Sequence, residues 1–210
     1  MPKLLKTPRN KPQARTQATK AKILDAAQSA FAEQGFENTQ LDAVAARAGC
    51  SRGAIYAHYA NKEDLFLALM EHRVYAKFSD LCRKIEEEPD GSKRPDIFKR
   101  WVLKQFSDPS WGTLTLEYKL YAVRHPESQS RERLLQLYNS LFRGFARDFV
   151  ELLFGKSLSS SDRIALERRL AVVGSVLSGL VLEHNFQPKL LPLNHLRELA
   201  EELLAALIHR

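Results

Sequence analysis

The chain has 210 residues, 44% hydrophobic and 27% charged, with a formal net charge of +7. No apolar run approaches the roughly 18 residues that cross a bilayer, and the basic, proline-interrupted N-terminus lacks the apolar centre of an export signal. Neither a membrane protein nor a secreted one is expected, and the location expected is cytoplasmic. Cys50 and Cys82 match neither a metal spacing nor a disulfide framework and are expected as reduced thiols.

The charge is unevenly placed. Residues 1–62 carry 10 Lys or Arg against 4 Asp or Glu, whereas the remaining 148 carry 22 against 21. A basic first third beside a near-neutral body suggests that the first part meets a polyanion.

Residues 1–18, with Pro2, Pro8 and Pro12 among cations, have no apolar period and are expected to form a disordered basic arm. Ile23, Ala27, Ala30 and Phe31 then share one helical face, predicting a helix over about 19–34 that ends at Gly35. Thr39 followed by Asp42 has the form of a capping box and opens a short second helix lined by Leu41, Val44, Ala45 and Ala48. Gly49 suits a left-handed turn and Ser51 an N-cap, so a third helix is predicted over 52–58. Asn61 with Asp64 repeats the capping signature and starts a fourth helix that keeps its apolar period down to "EEEPDGSKRP". Further helices are predicted over about 95–107, 113–124, 127–154, 161–184 and 193–208, with the breaks at "SDPSWG", "RHPES", "FGKSLSSS" and "QPKLLP". The fold class is all-α, with a domain boundary within the fourth helix.

Two short helices joined by a tight turn follow the helix-turn-helix plan, in which the second helix enters the major groove of double-stranded DNA. The third helix has suitable chemistry. Arg52 offers a fork for a guanine edge, Gly53 and Ala54 leave room for close approach, and Tyr56 and His58 carry hydrogen-bonding tips. Lys62 places a cation at a helix N-terminus, where phosphate is favoured. Ile55 and Tyr59 lie four apart and are expected to pack inward, against Tyr56 outward.

The stretch "KAKILDAAQSAFAEQGFENTQLDAVAARAGCSRGAIYAHYANKEDLF", within residues 19–66, resembles the N-terminal DNA-binding domain of the tetracycline-repressor (TetR) family of transcription regulators. The resemblance implies a three-helix DNA-binding domain over 19–66 and a helical ligand-binding and dimerisation domain over 67–210. It implies a repressor released from a palindromic operator by a small molecule. By position it makes Thr39 and Tyr56 phosphate contacts, with His58 and Lys62 also at the DNA backbone and Arg52, Gly53 and Ala54 at base edges. It further implies a homodimer through the last two helices, whose apolar faces include Val173, Leu177 and Leu180 on one and Leu196, Leu199, Leu203 and Leu204 on the other. Gly174, Ser175, Ser178 and Gly179 would permit close helix approach there.

For an effector, Trp101, Phe106, Trp111, Tyr118, Tyr121, Tyr138 and Phe142 are candidates for the lining of an apolar cavity, each with core packing as the plainer alternative. Glu117 and Glu183 are candidate partners for a cationic group. The six histidines show no metal-ligand pairing, and no glycine-rich phosphate loop or nucleophile elbow appears, so neither metal, cofactor nor catalysis is expected. The alternative outside DNA binding is a helical adaptor whose basic arm meets acidic proteins or membrane surfaces.

Overall fold

The computed structural model describes residues 11–105, 108–137 and 159–208. All described regular elements are helical: α1 (Lys11–Asn38), α2 (Leu41–Ala48), α3 (Arg52–Tyr56), α4 (Lys62–Glu86), α5 (Arg94–Gln105), α6 (Pro109–Arg124), α7 (130–137), α8 (Ser160–Phe186) and α9 (Leu193–Ile208). Single 3-10 turns precede α5 and α7. The chain divides into two compact units, Met1–Met70 and Glu71–Arg210, with the division inside α4.

In the first unit, the predicted face of α1 is the buried one: Ile23, Ala27, Ala30 and Phe31 are at most 1% exposed. Phe31, Phe36 and Phe66 form an aromatic triad, Phe66 meeting both partners edge-on at 5.2 Å. Such geometry suits the ring quadrupoles and adds to the area the rings bury. Gly35 leaves helical conformation at φ 75°, ψ 171°, a region open essentially only to glycine. That break turns Phe36 back into the core, where it is 0% exposed.

The disordered arm expected over 1–18 is corrected for residues 11–18, which form the first turns of α1, while residues 1–10 lie outside the described residues. Pro12 is tolerated there, since the first turn of a helix leaves its N–H groups unbonded in any case. Residues 15–18 are exposed, so this part of the helix has no apolar stripe to reveal it.

The second unit is built on two linked apolar clusters. Leu81 and Ile85 of α4 pack with Phe98 of α5 and Leu204 of α9, each buried side chain contributing about 1.5–3 kcal/mol. Leu177 and Val181 of α8 pack with Leu196 and Ala200 of α9, and Val102 and Val173 touch both groups. α6 lies close against α8. A Cβ on Gly112 would stand 2.9 Å from Val181 Cγ1, and Asn185 donates to the Thr113 hydroxyl at 2.6 Å. α6 starts four residues before the predicted 113 because Asp108 caps it, accepting from the Trp111 N–H, and Pro109 fits the first turn. α8 begins after Ser159, whose hydroxyl accepts from the Asp162 N–H.

Candidate nucleic-acid interface

The short third helix is held from both ends. Gly49 adopts a left-handed conformation, φ 64° and ψ 34°, and Cys50 N–H reaches back to Ala45 O at 3.0 Å, closing α2 in a Schellman turn. Ser51 then accepts from the Ala54 N–H at 3.2 Å, the cap its sequence position predicts. α3 proper ends at Tyr56, two residues short of the predicted 58, and the chain passes through the capping motif of α4. There Asn61 accepts from the Asp64 N–H at 2.8 Å, and Asp64 accepts from the Ala60 N–H at 2.9 Å. α2 is fixed to α1 by a bidentate pair in which Arg47 donates to both Glu33 oxygens at 2.7 and 2.6 Å.

On α3 the two faces separate as their spacing predicts. Ile55 is 0% and Tyr59 8% exposed, and burial pushes the Tyr59 phenol up from its ordinary range. Tyr56 points out at 44% exposure, with Arg52 and Gly53 also exposed and Ala54 and His58 half-buried. The Arg52 guanidinium donates to Asp42 Oδ2 at 3.0 Å and lies 5.4 Å from the centre of the Tyr56 ring. Hydrogen bonding with Tyr56, and then the Asp42 charge, stabilise its protonated form. Arg52 is therefore oriented across the mouth of the turn before any ligand arrives. Asp42 was legible only as a capping acid, since its partner lies ten residues away on another helix.

Two expected phosphate contacts have additional or different occupations. Thr39 is fully buried, and its hydroxyl donates toward Gly35 O at 2.6 Å and Ala30 O at 3.3 Å. The N-cap of α2 is Gln40. The capping-box role of Thr39 is thus corrected: the chain reversal at Gly35 brings α1 carbonyls to its hydroxyl. Lys62 donates to Glu37 O at 2.6 Å and stands over the Phe36 ring at 4.9 Å. Burial chiefly lowers its pKa, while Glu63 and Glu37 oppose the shift. It ties the end of α1 to the start of α4 and retains two further N–H groups for an outside acceptor.

A sequence profile described as "Bacterial regulatory proteins, tetR family" matches residues 23–69, the stretch that builds this interface. The HTH-type transcriptional repressor SCO4008 of Streptomyces coelicolor is 38% identical over 74 residues, 35% of this chain and 36% of that protein. The aligned part thus spans about a third of that relative's length. The uncharacterized HTH-type transcriptional regulator TtgW of Pseudomonas putida is 36% identical over 150 residues, covering 71% of this chain and 91% of the relative. The chain belongs to the tetR family of bacterial regulatory proteins. The likeness extends to the all-helical fold of FadR from Bacillus subtilis, solved in complex with stearoyl-CoA. The TM-score is 0.63 at 20% identity, over 90% of this chain and 97% of that one.

In this tetR-family chain the side chains proposed for an effector cavity are dispersed. Tyr118 is 0% exposed and stacks on Tyr121 at 6.2 Å, on the inner face of α6 with Leu114 and Ala122. Trp111 is covered by the Arg73 guanidinium at 4.2 Å. Glu117 and Glu183 are exposed, the latter accepting from Gln187 at 3.0 Å. Phe106, Tyr138 and Phe142 lie outside the described residues. Trp101 borders a cleft of about 660 Å³ between α4 and α5. Among the described residues no cluster of His, Cys, Asp or Glu is arranged to hold a metal, and no helix is long and apolar enough to cross a membrane.

Proposed function

We propose that this protein is a sequence-specific DNA-binding transcriptional regulator, acting as a repressor on a palindromic operator and released by a small-molecule effector. The observation that carries the reading is the exposed edge of α3. Arg52, Gly53 and Tyr56 stand on a helix capped by Ser51 and seated through Ile55, so base-reading groups are presented by a rigid support. Gly53 adds to this. A Cβ there would meet only Ser51 Oγ, at 3.9 Å, so nothing inside the protein requires the glycine. An outside surface in close approach supplies a reason for it. SCO4008, a repressor by name, supports the same direction of action.

A homodimer through α8 and α9 accompanies this reading. Val172, Val176, Leu182 and Phe186 of α8 are all more than 40% exposed. A Cβ added at Gly174 or Gly179 meets nothing within 4 Å, leaving a small-residue surface open to another helix. Two-fold symmetry then calls for half-sites about 34–36 Å apart. For the effector, an apolar or aromatic body is favoured by Trp101 at the α4–α5 cleft, and FadR in complex with stearoyl-CoA is a structural neighbour that takes a large ligand.

The test is selection of bound duplexes from a random pool by the purified protein, followed by anisotropy titration of the selected site and a scrambled one. A palindromic site bound at least a hundredfold more tightly than its scramble is expected, within the usual range for specific binders. Arg52→Ala is expected to narrow that ratio by roughly tenfold, as befits loss of one bidentate base contact. Equal affinity of the wild type for both duplexes would overturn the reading.

A further inference from the structure

Arg52 is the only Lys or Arg of α3, and a partner from another helix already holds one of its nitrogens. Asp42, in the first turn of α2, accepts from Arg52 Nη1 through Oδ2 at 3.0 Å. The guanidinium also lies 5.4 Å from the centre of the Tyr56 ring, one turn along the same face. Both partners stand on fixed supports. α2 is closed by the Gly49 turn and pinned to α1 through Arg47 and Glu33, and Ser51 caps the helix that carries Arg52.

The pair does little for the fold. The two side chains remain 67% and 58% exposed, and exposed ion pairs contribute little to stability. What the pair does fix is which part of Arg52 is on offer. A bidentate guanine contact takes two parallel N–H groups from one edge of a guanidinium, which donate to O6 and N7. A carboxylate on Nη1 leaves the opposite edge, Nε with Nη2, for that task.

An arginine with no such partner has a competing choice. Phosphates line every duplex and carry full charge, so a mobile guanidinium at a DNA surface is drawn to the nearest of them whatever the sequence. With Asp42 on Nη1, that move breaks an ion pair and leaves a carboxylate facing phosphate. Guanine is a neutral acceptor and is reached with the ion pair intact.

We propose that Asp42 is a specificity-determining residue of the DNA interface, a positioning group that holds Arg52 by Nη1 so that the remaining edge reads guanine instead of settling on phosphate. The assignment rests on the DNA reading above and adds to it a residue that acts through Arg52.

The test is anisotropy titration of the selected operator and its scramble over a series of salt concentrations, with Asp42→Asn, Arg52→Ala and the double variant. Asp42→Asn is expected to tighten binding to the scramble and to steepen its salt slope by about 0.9, the value of one added phosphate contact. The ratio of operator to scramble affinity is expected to fall roughly three- to tenfold, no further than in Arg52→Ala. In the Arg52→Ala background, Asp42→Asn is expected to leave the ratio unchanged, since the group it acts through is gone. Glu37→Gln serves as control: it removes an exposed acid that has no part in the Arg52 pair, and it shifts both duplexes alike. An unfolded fraction weakens both duplexes by the same factor, so the ratio reports on the interface and not on folding. An unchanged ratio in Asp42→Asn, with the wild type discriminating, overturns this assignment alone, as does an equal fall in the Arg52→Ala background or in Glu37→Gln. A wild type that binds both duplexes alike overturns the DNA reading, and the assignment with it.

Discussion

Gly53→Ala separates the demands of the protein from those of its ligand more cleanly than any other substitution in α3. Inside the protein the added methyl meets only Ser51 Oγ, at 3.9 Å, an ordinary contact. Gly53 is not among the residues with positive φ, so alanine adopts its backbone without strain. Replacing a helical glycine by alanine then removes unfolded-state freedom and contributes up to about 0.5–1 kcal/mol, with the lower end expected in a first turn. At about 0.5 kcal/mol the thermal midpoint rises by roughly 1–2 °C. On DNA the same methyl lies on the exposed edge beside Arg52 and meets a surface that has no room to give. Overpacking of about 1–3 kcal/mol there corresponds to a weakening on the order of tenfold or more. Differential scanning calorimetry and anisotropy titration on the selected operator measure the two effects. The expected result is a variant that melts slightly higher and binds less. A lower melting point would refute the claim that the fold does not need the glycine, and unchanged operator affinity would refute the close approach.

Three other outcomes follow from the geometry. Thr39→Val keeps the shape of the side chain but leaves two carbonyls without their shared donor, so a loss of about 1–3 kcal/mol in urea unfolding is expected; unchanged stability with tenfold weaker DNA binding would instead make Thr39 a phosphate contact. Asp108 has opposing influences, burial raising its pKa and hydrogen bonds from Ser110 and Arg73 lowering it, with the net below the ordinary value. Its contribution is therefore present above about pH 4 and lost as pH falls through its lowered folded-state pKa, so Asp108→Asn is expected to flatten acid unfolding in that window relative to wild type. Val172→Asp with Val176→Asp puts charge on the exposed face of α8, and light scattering is expected to show monomers at concentrations where the wild type is dimeric.

The features legible in the sequence are those whose causes lie within about four residues. The Gly49 turn, the Ser51 cap, the Asn61 and Asp64 cap of α4 and the inward Ile55–Tyr59 pair all depend on groups one helical turn apart, and the backbone there is bound to use them. Thr39 shows where that range ends. Its pattern with Asp42 is a capping box to a local reading, yet a buried hydroxyl takes whatever acceptors the fold brings, and Gly35 brings two from α1. The cations of the α4–α5 cleft lie beyond that range for a related reason. Arg73 with Lys77 and Arg100 with Lys104 are i, i+4 pairs, a signal that two helices each carry a basic stripe, but an exposed basic stripe is ordinarily only solvated. That Lys77 shares a cleft with Arg100 and Lys104 depends on α4 and α5 packing through Phe78 and Phe98, twenty residues apart.

The sequence by itself determined the helices, their caps and the face of α3 that turns outward, because hydrogen-bond satisfaction and apolar periodicity act over a single turn. Only the tertiary structure decided which side chains are spent inside. Tyr118 and Thr39 are enclosed, Arg52 is set against Asp42, and cations from two helices share one cleft, since burial and charge pairing depend on partners that the chain brings together only when it packs.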